Sequence, residues 1–224
     1  SWAIMEHYRL TGDRSSLAEV FPRMAASSRW QEVQRKRTRA MIKGKRPLTN
    51  GLMPRGMGDG GLKDDDDSYG VFFTHNILAV YADAMTLEAA RVLGRKKDLP
   101  SLRRIHRTAL TDLLRAMDAG AISEKGYRWI PAVPGKTCGS RWGALYAAFP
   151  CSILPADHEL ISGTIRKFEA RMSPGGIPVH TGWMKDGMWV AITLDNLAEV
   201  LLLRDEGDAA ASYLYATLNH GTPL

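Results

Sequence analysis

Aromatic rings, carboxylates, imidazoles and one arginine gather in or beside the irregular stretches of this chain: Asp59 in Met57-Gly58-Asp59-Gly60-Gly61, the run Asp64 to Asp67, Tyr69, His75 and Asn76. Further along come Tyr127, Trp129, Arg141 and Trp142, then His180, Trp183, Asp186 and Trp189, and finally His220. Four of the six tryptophans belong to this set. Such a mixture suits a carbohydrate, which offers an apolar face for ring stacking and a rim of hydroxyls for hydrogen bonds.

Each residue also has a plainer reading. Asp59 between glycines suits a tight turn in which its carboxylate accepts backbone N–H groups. A tryptophan just before an apolar helix suits a core. Four consecutive aspartates repel one another and favour exposure, with a calcium site as the alternative chemistry. His75 and Asn76 inside an apolar helix read as satisfied polar groups. Asp157, His158 and Glu159 form a helix start.

The elements that position these residues read as helices joined alternately by short turns and long loops. Three short turns share a stamp: Leu10-Thr11-Gly12-Asp13, Leu93-Gly94-Arg95-Lys96-Lys97-Asp98 and Leu203-Arg204-Asp205-Glu206-Gly207-Asp208. In each, a leucine ends one helix, a glycine sits at or near the left-handed position, and an aspartate can cap the next helix. That pattern is a repeated helical hairpin. Packed side by side, such hairpins collect the short turns on one face and the long loops on the other.

Periodicity predicts helices from about Trp2 to Leu10, Ser15 to Ile42, Tyr69 to Leu93, Pro100 to Ala119, Trp142 to Leu154, a sixth after Pro155-Ala156-Asp157, then Gly187 to Leu203 and Ala209 to Leu218. Pro22 predicts a kink or early break in the second. The third and seventh are apolar nearly all round. The fourth sets Leu102, Ile105, Ala109, Leu113 and Met117 against a polar stripe of Arg103, Arg104, Arg107, Asp112 and Arg115. A short strand or hairpin is expected at Tyr127-Arg128-Trp129-Ile130. Odd helices read as buried and even ones as surface, which two layers of helices explain better than a four-helix bundle; an α-solenoid is the structural rival. The fold class is therefore all-α, and residues 1–224 read as one partial domain.

With 45% apolar and 24% charged residues, the composition is that of a globular protein. The net charge of +6 is concentrated in Arg35-Lys36-Arg37-Thr38-Arg39 and Lys43-Gly44-Lys45-Arg46. A solvated basic end of an outer helix accounts for it; a nucleic-acid or anionic-membrane patch is the alternative. We expect neither a nucleic-acid nor a membrane partner. No apolar run reaches the ~20 residues of a spanning helix, and the first residues lack the features of a signal peptide. Cys138 and Cys151 fit neither a zinc knuckle nor a thioredoxin motif, and no metal or cofactor is expected. The chain opens mid-pattern and closes at the start of another loop, as if cut from something larger.

The opening Trp2 to Asp13, the loop from Gly51-Leu52-Met53-Pro54 to Gly58-Asp59-Gly60, the helix ending Ala89-Ala90-Arg91-Val92-Leu93-Gly94 and the hairpin Leu203 to Asp208 together resemble the six-hairpin glycosidases. The resemblance covers nearly the whole chain as texture more than as one invariant motif. It implies an (α/α) toroid of which this chain supplies about four of six hairpins, the others coming from a longer chain or a partner subunit.

In the inverting members that resemble α-mannosidases and α-rhamnosidases, the loop before the matching inner helix supplies an aspartate or sugar contacts. Asp59 is the matching position, as general acid or direct sugar ligand. An inverting enzyme also needs a base ~6.5–9.5 Å away; either Asp186 or a residue outside these 224 supplies it. Tyr69, His75, Trp129, Arg141, Trp142, His180, Trp183 and Trp189 are the substrate contacts. A non-catalytic carbohydrate-binding or assembly subunit is one alternative. A polysaccharide lyase on a similar toroid, using Tyr69, His180 and Arg141, is the other.

Overall fold

The computed structural model describes residues 1–57, 69–137, 143–173, 175–177 and 190–221. The described chain is mostly helical. In order it forms α1 (Trp2–Thr11), α2 (Arg14–Lys36), β1 (Gly56–Met57), β2 (Tyr69–Gly70), α3 (Phe73–Val92), α4 (Leu99–Gly120), β3 (Ile122–Glu124), β4 (Tyr127–Trp129), a 3-10 turn (Ala144–Ala147), α5 (Glu159–Glu169), α6 (Val190–Leu202) and α7 (Gly207–Gly221). β1 pairs with β2 and β3 with β4, both antiparallel. Two compact units result: Ser1–Pro54 with His75–Ala116, and Arg55–Thr74 with Met117–Leu224.

In the first unit, α1 and α2 form a helical hairpin of the expected kind. Gly12 takes a left-handed φ of 72° and donates its N–H to Tyr8 O at 2.8 Å, while the Asp13 carboxylate accepts from Ser15 N and Ser16 N. The second hairpin, α3 and α4, turns at Gly94 with φ 67°. Met5, Leu17, Phe21, Met24, Met85, Leu87, Leu102 and Ile105 interlock as one core. Of the kink or early break expected at Pro22, the break does not occur, since α2 runs on through it; Leu17, Phe21 and Met24, on both sides of the proline, are packed in the same core. Between α2 and α3 a buried ion pair forms, Arg35 Nη1 to Asp83 Oδ2 at 2.6 Å. Burial pushes the Asp83 carboxyl above its ordinary range, and Arg35 opposes that shift.

Burial along α3 and α4 follows the predicted patterns except at Leu78, which is exposed, and Asp112, which is buried. α3 buries Phe73, Ile77, Val80, Met85, Leu87, Ala89 and Ala90, and α4 buries its apolar stripe. Two expectations give way. α1 buries only Met5 and leaves Leu10 exposed, so the odd helices are not uniformly internal. α2 ends at Lys36, six residues before the predicted Ile42, and Thr38 closes it by donating from its Oγ1 to Arg35 O and Leu52 O.

In the second unit, β3 and β4 form the predicted hairpin, with register Ile122↔Trp129 and Glu124↔Tyr127. Its turn is Lys125-Gly126, both left-handed, as two-residue turns require. α5 packs on β4 so closely that a Cβ on Gly163 would lie 1.7 Å from Arg128 O. The predicted fifth helix is reduced to Ala144–Ala147. Pro150 has no N–H to continue a helix and disfavours the helical region for the preceding residue. α5 begins at Glu159, with His158 Nδ1 accepting from Leu160 N at 3.1 Å, which makes the Asp157 to Glu159 string the helix start expected of it. The α6–α7 turn places its left-handed residue at Asp205, φ 59°, and not at Gly207, which opens α7.

Candidate functional site

Asp59, Arg141, Trp142, His180, Trp183, Asp186 and Trp189 lie outside the described residues, as does the run Asp64 to Asp67. The structure does define what brackets the segment that carries Asp59. Gly56 pairs with Gly70 and Met57 with Tyr69, so residues 58–68 depart from and return to one two-stranded ribbon. Arg55 Nε donates to Tyr69 O at 2.7 Å, and its guanidinium lies 5.1 Å from the Tyr69 ring centroid. Tyr69 itself is 49% exposed. A hydroxyl, an aromatic face and a guanidinium thus stand together at the root of the acidic segment.

The second long loop meets the end of the first at the same place. Phe73 N donates to Ala132 O at 2.8 Å, and Phe72, Ala132 and Val133 form a buried apolar cluster. Gly143, φ 74°, comes so near Thr74 that a Cβ would lie 2.7 Å from the threonine methyl group. Gly120 O, at the end of α4, accepts from Gly135 N and anchors the other flank of the loop. Residues about sixty positions apart therefore converge just before α3.

The remaining predicted contacts are placed as follows. His75 is exposed in the first turn of α3. Asn76 is buried and its Oδ1 accepts from Met53 N at 2.8 Å, the satisfied polar role expected of it. Trp129 is 1% exposed, and the Lys167 ammonium lies 4.9 Å from its ring centroid, so the ring is a packing surface in this fold. Arg166 similarly covers Tyr127 at 4.7 Å. Beside them runs a groove of about 430 Å³ lined by Ser123, Tyr127, Arg128, Glu159, Ser162 and Arg166. Arg128 is held there by Glu159 at 3.0 Å and Asp118 at 2.8 Å.

Lys167 donates to Glu124 and holds that carboxyl below its ordinary range. Burial pushes the Cys151 thiol up to about 12, and Cys151 is a free buried thiol, which makes it an inert core residue. Sequence reading missed Arg55; its signal was an arginine immediately before a glycine-bracketed acidic stretch that a tyrosine closes. Among the described residues no cluster of three or more His, Cys, Asp or Glu could hold a metal, and no helix is long and apolar enough to cross a membrane. Comparison with protein-family models and with curated proteins finds no match to this chain.

Proposed function

We propose that this chain is part of a glycoside hydrolase built on an (α/α) toroid of helical hairpins, supplying about four of the six, and that it cleaves a glycosidic bond with inversion. One observation carries the reading: two long loops meet at the start of α3 through Phe73 N to Ala132 O and the Phe72, Ala132 and Val133 cluster, with Tyr69 and Arg55 exposed at the root of the Asp59 segment. Repeated hairpins with αL turns at Gly12 and Gly94 add support for the architecture.

In this reading Asp59 protonates the leaving glycosidic oxygen, and Asp186 takes a proton from the water that attacks the anomeric carbon from the opposite face. The two carboxyl groups stand ~6.5–9.5 Å apart to admit that water. An acid must keep its proton near neutrality, and like charge nearby raises its pKa; Asp64 to Asp67 are the neighbours in sequence that supply it. Tyr69 and Arg55 contact substrate hydroxyls.

The test is hydrolysis by D59N of an oligosaccharide and of a dinitrophenyl glycoside, with the product anomer read by NMR. General-acid assistance is worth roughly 10²–10⁴ in rate. D59N should lose about that much on the oligosaccharide and far less on the dinitrophenyl glycoside, whose leaving group needs no proton. D186N should lose activity on both. Unchanged hydrolysis by D59N would remove it from the mechanism, and sugar binding without turnover by the unaltered protein would favour the binding subunit.

A further inference from the structure

Residues 37–53 contain five cations, Arg37, Arg39, Lys43, Lys45 and Arg46, and no carboxylate. Two of the five turn inward. Arg39 and Arg46 grip the buried Asp112 of α4 at 2.9 Å and 2.6 Å, although periodicity alone puts Asp112 on the polar stripe. Arg46 Nε also donates to Asn50 Oδ1 at 2.9 Å, and Asn50 Nδ2 donates to Ala40 O at 3.2 Å. Arg115 Nη2 donates to Asn50 O at 2.6 Å. Gly51, φ 80°, presses on the same aspartate, where a Cβ would lie 2.1 Å from its Oδ2. The stem of this loop is fixed to α4.

Its outer end is equally defined. Ile42 and Lys45 exchange both backbone hydrogen bonds, each 2.9 Å, across the left-handed pair Lys43 and Gly44. Met41 and Ile42 are 58% and 61% exposed there. Lys43 and Lys45 are exposed beside them, without a carboxylate partner among the described residues. Scattered exposed aliphatics are ordinary. Two adjacent ones on a hydrogen-bonded turn, flanked by lysines without a carboxylate partner among the described residues, match a surface that is apolar within and anionic outside.

Against the sequence expectation of no membrane partner, we propose that the turn at residues 41–45 docks on an anionic lipid bilayer, with Met41 and Ile42 entering the acyl boundary and Lys43 and Lys45 lying at the phosphate level. The residues flanking the turn already pair each other's N–H and C=O groups, so the tip can leave water without orphaning them. A fluid bilayer accepts a convex tip that a flat rigid partner cannot cover. Nucleic acid fits less well, because residues 37–53 hold no aromatic ring for base stacking, and phosphate contacts alone would leave Met41 and Ile42 in water. The inference is independent of the glycosidase reading.

Co-sedimentation of the whole chain with vesicles tests it, using phosphatidylcholine alone and with about one third phosphatidylserine, at low and high salt. Binding should require phosphatidylserine and weaken with salt. K43Q/K45Q should lower the partition coefficient about 25-fold, from about fivefold per lysine, and M41S/I42S by about tenfold or more. All four side chains are exposed, so unchanged thermal melting confirms that the variants fold. Absence of vesicle binding, equal binding to neutral vesicles, or indifference to M41S/I42S would overturn the proposal. Oligonucleotide binding that needs the lysines, without vesicle binding, would assign the cations to nucleic acid.

Discussion

The turn at residues 42–45 and the β3–β4 hairpin reverse the chain in the same way, through a lysine and a glycine that both take left-handed backbones: Lys43-Gly44 at φ 49° and 72°, Lys125-Gly126 at φ 47° and 82°. What flanks those turns is opposite. In the hairpin the aromatic Trp129 is buried beneath α5, and Glu124, on the same face, pairs with Lys167 of that helix. In the 37–53 loop the arginines face inward on Asp112 and the aliphatic Met41 and Ile42 face water. Turn chemistry fixes the reversal, whereas the neighbouring helix decides which side is buried. α5 offers Gly163 and an apolar stripe; α4 offers a carboxylate.

The strongest way to break this comparison is to remove the helix's fit to the hairpin. G163A would place a methyl group against the Arg128 carbonyl at 1.7 Å, a backbone atom that cannot swing aside. Separating α5 from β4 should cost about 3 kcal/mol, the upper end of overpacking effects, read as a fall in the urea midpoint. An unchanged midpoint would mean that the hairpin's inward face does not depend on α5.

The matching change at the loop is D112A, which removes the acceptor of both arginines. Hydrogen bonds to a charged group contribute about 1.5–3 kcal/mol each, but both arginines are partly exposed and regain water. A net loss of about 2 kcal/mol is expected, together with faster tryptic cleavage after Lys43 and Lys45. If cleavage there did not change, Asp112 would not be what fixes the stem.

Legibility from sequence follows the same division. Local chemistry was readable: Gly12 and Asp13 form the left-handed turn and cap that their types imply, and Tyr127 to Trp129 form the strand expected of a β-rich stretch. Tertiary choices were not. Asp112 lies on the polar stripe by periodicity and becomes buried because arginines about seventy residues earlier reach it. The helix drawn through Trp142 to Leu154 was read from apolar content, with too little weight on Pro150. At the site, the contact of Phe73 with Ala132 joins two irregular stretches that carry no local signal of their pairing. The pairing of Arg55 with Tyr69 carries none either, because a ribbon two residues long leaves no alternation to detect.

Acidity gives the finest test of the two turns. Lys167 donates a hydrogen bond to Glu124 and holds its carboxyl below the ordinary range, so the folded pKa is depressed relative to the unfolded chain. A depressed acid stabilises the fold above the unfolded carboxylate value near ~4 and loses that contribution as pH falls through the folded value. The hairpin therefore carries an acid-sensitive term. Lys45 has no carboxylate partner among the described residues. Urea midpoints measured from pH 7 down to about pH 3 should fall less for K167M than for the unaltered chain, because the pair that titrates is gone. K45M should track the unaltered chain throughout. The contact of Lys167 with the Trp129 ring is also lost in K167M, but that loss is constant across the window and leaves the pH slope to report Glu124 alone. Parallel slopes for K167M and the unaltered chain would show that the Glu124–Lys167 pair between the hairpin and α5 adds nothing to stability.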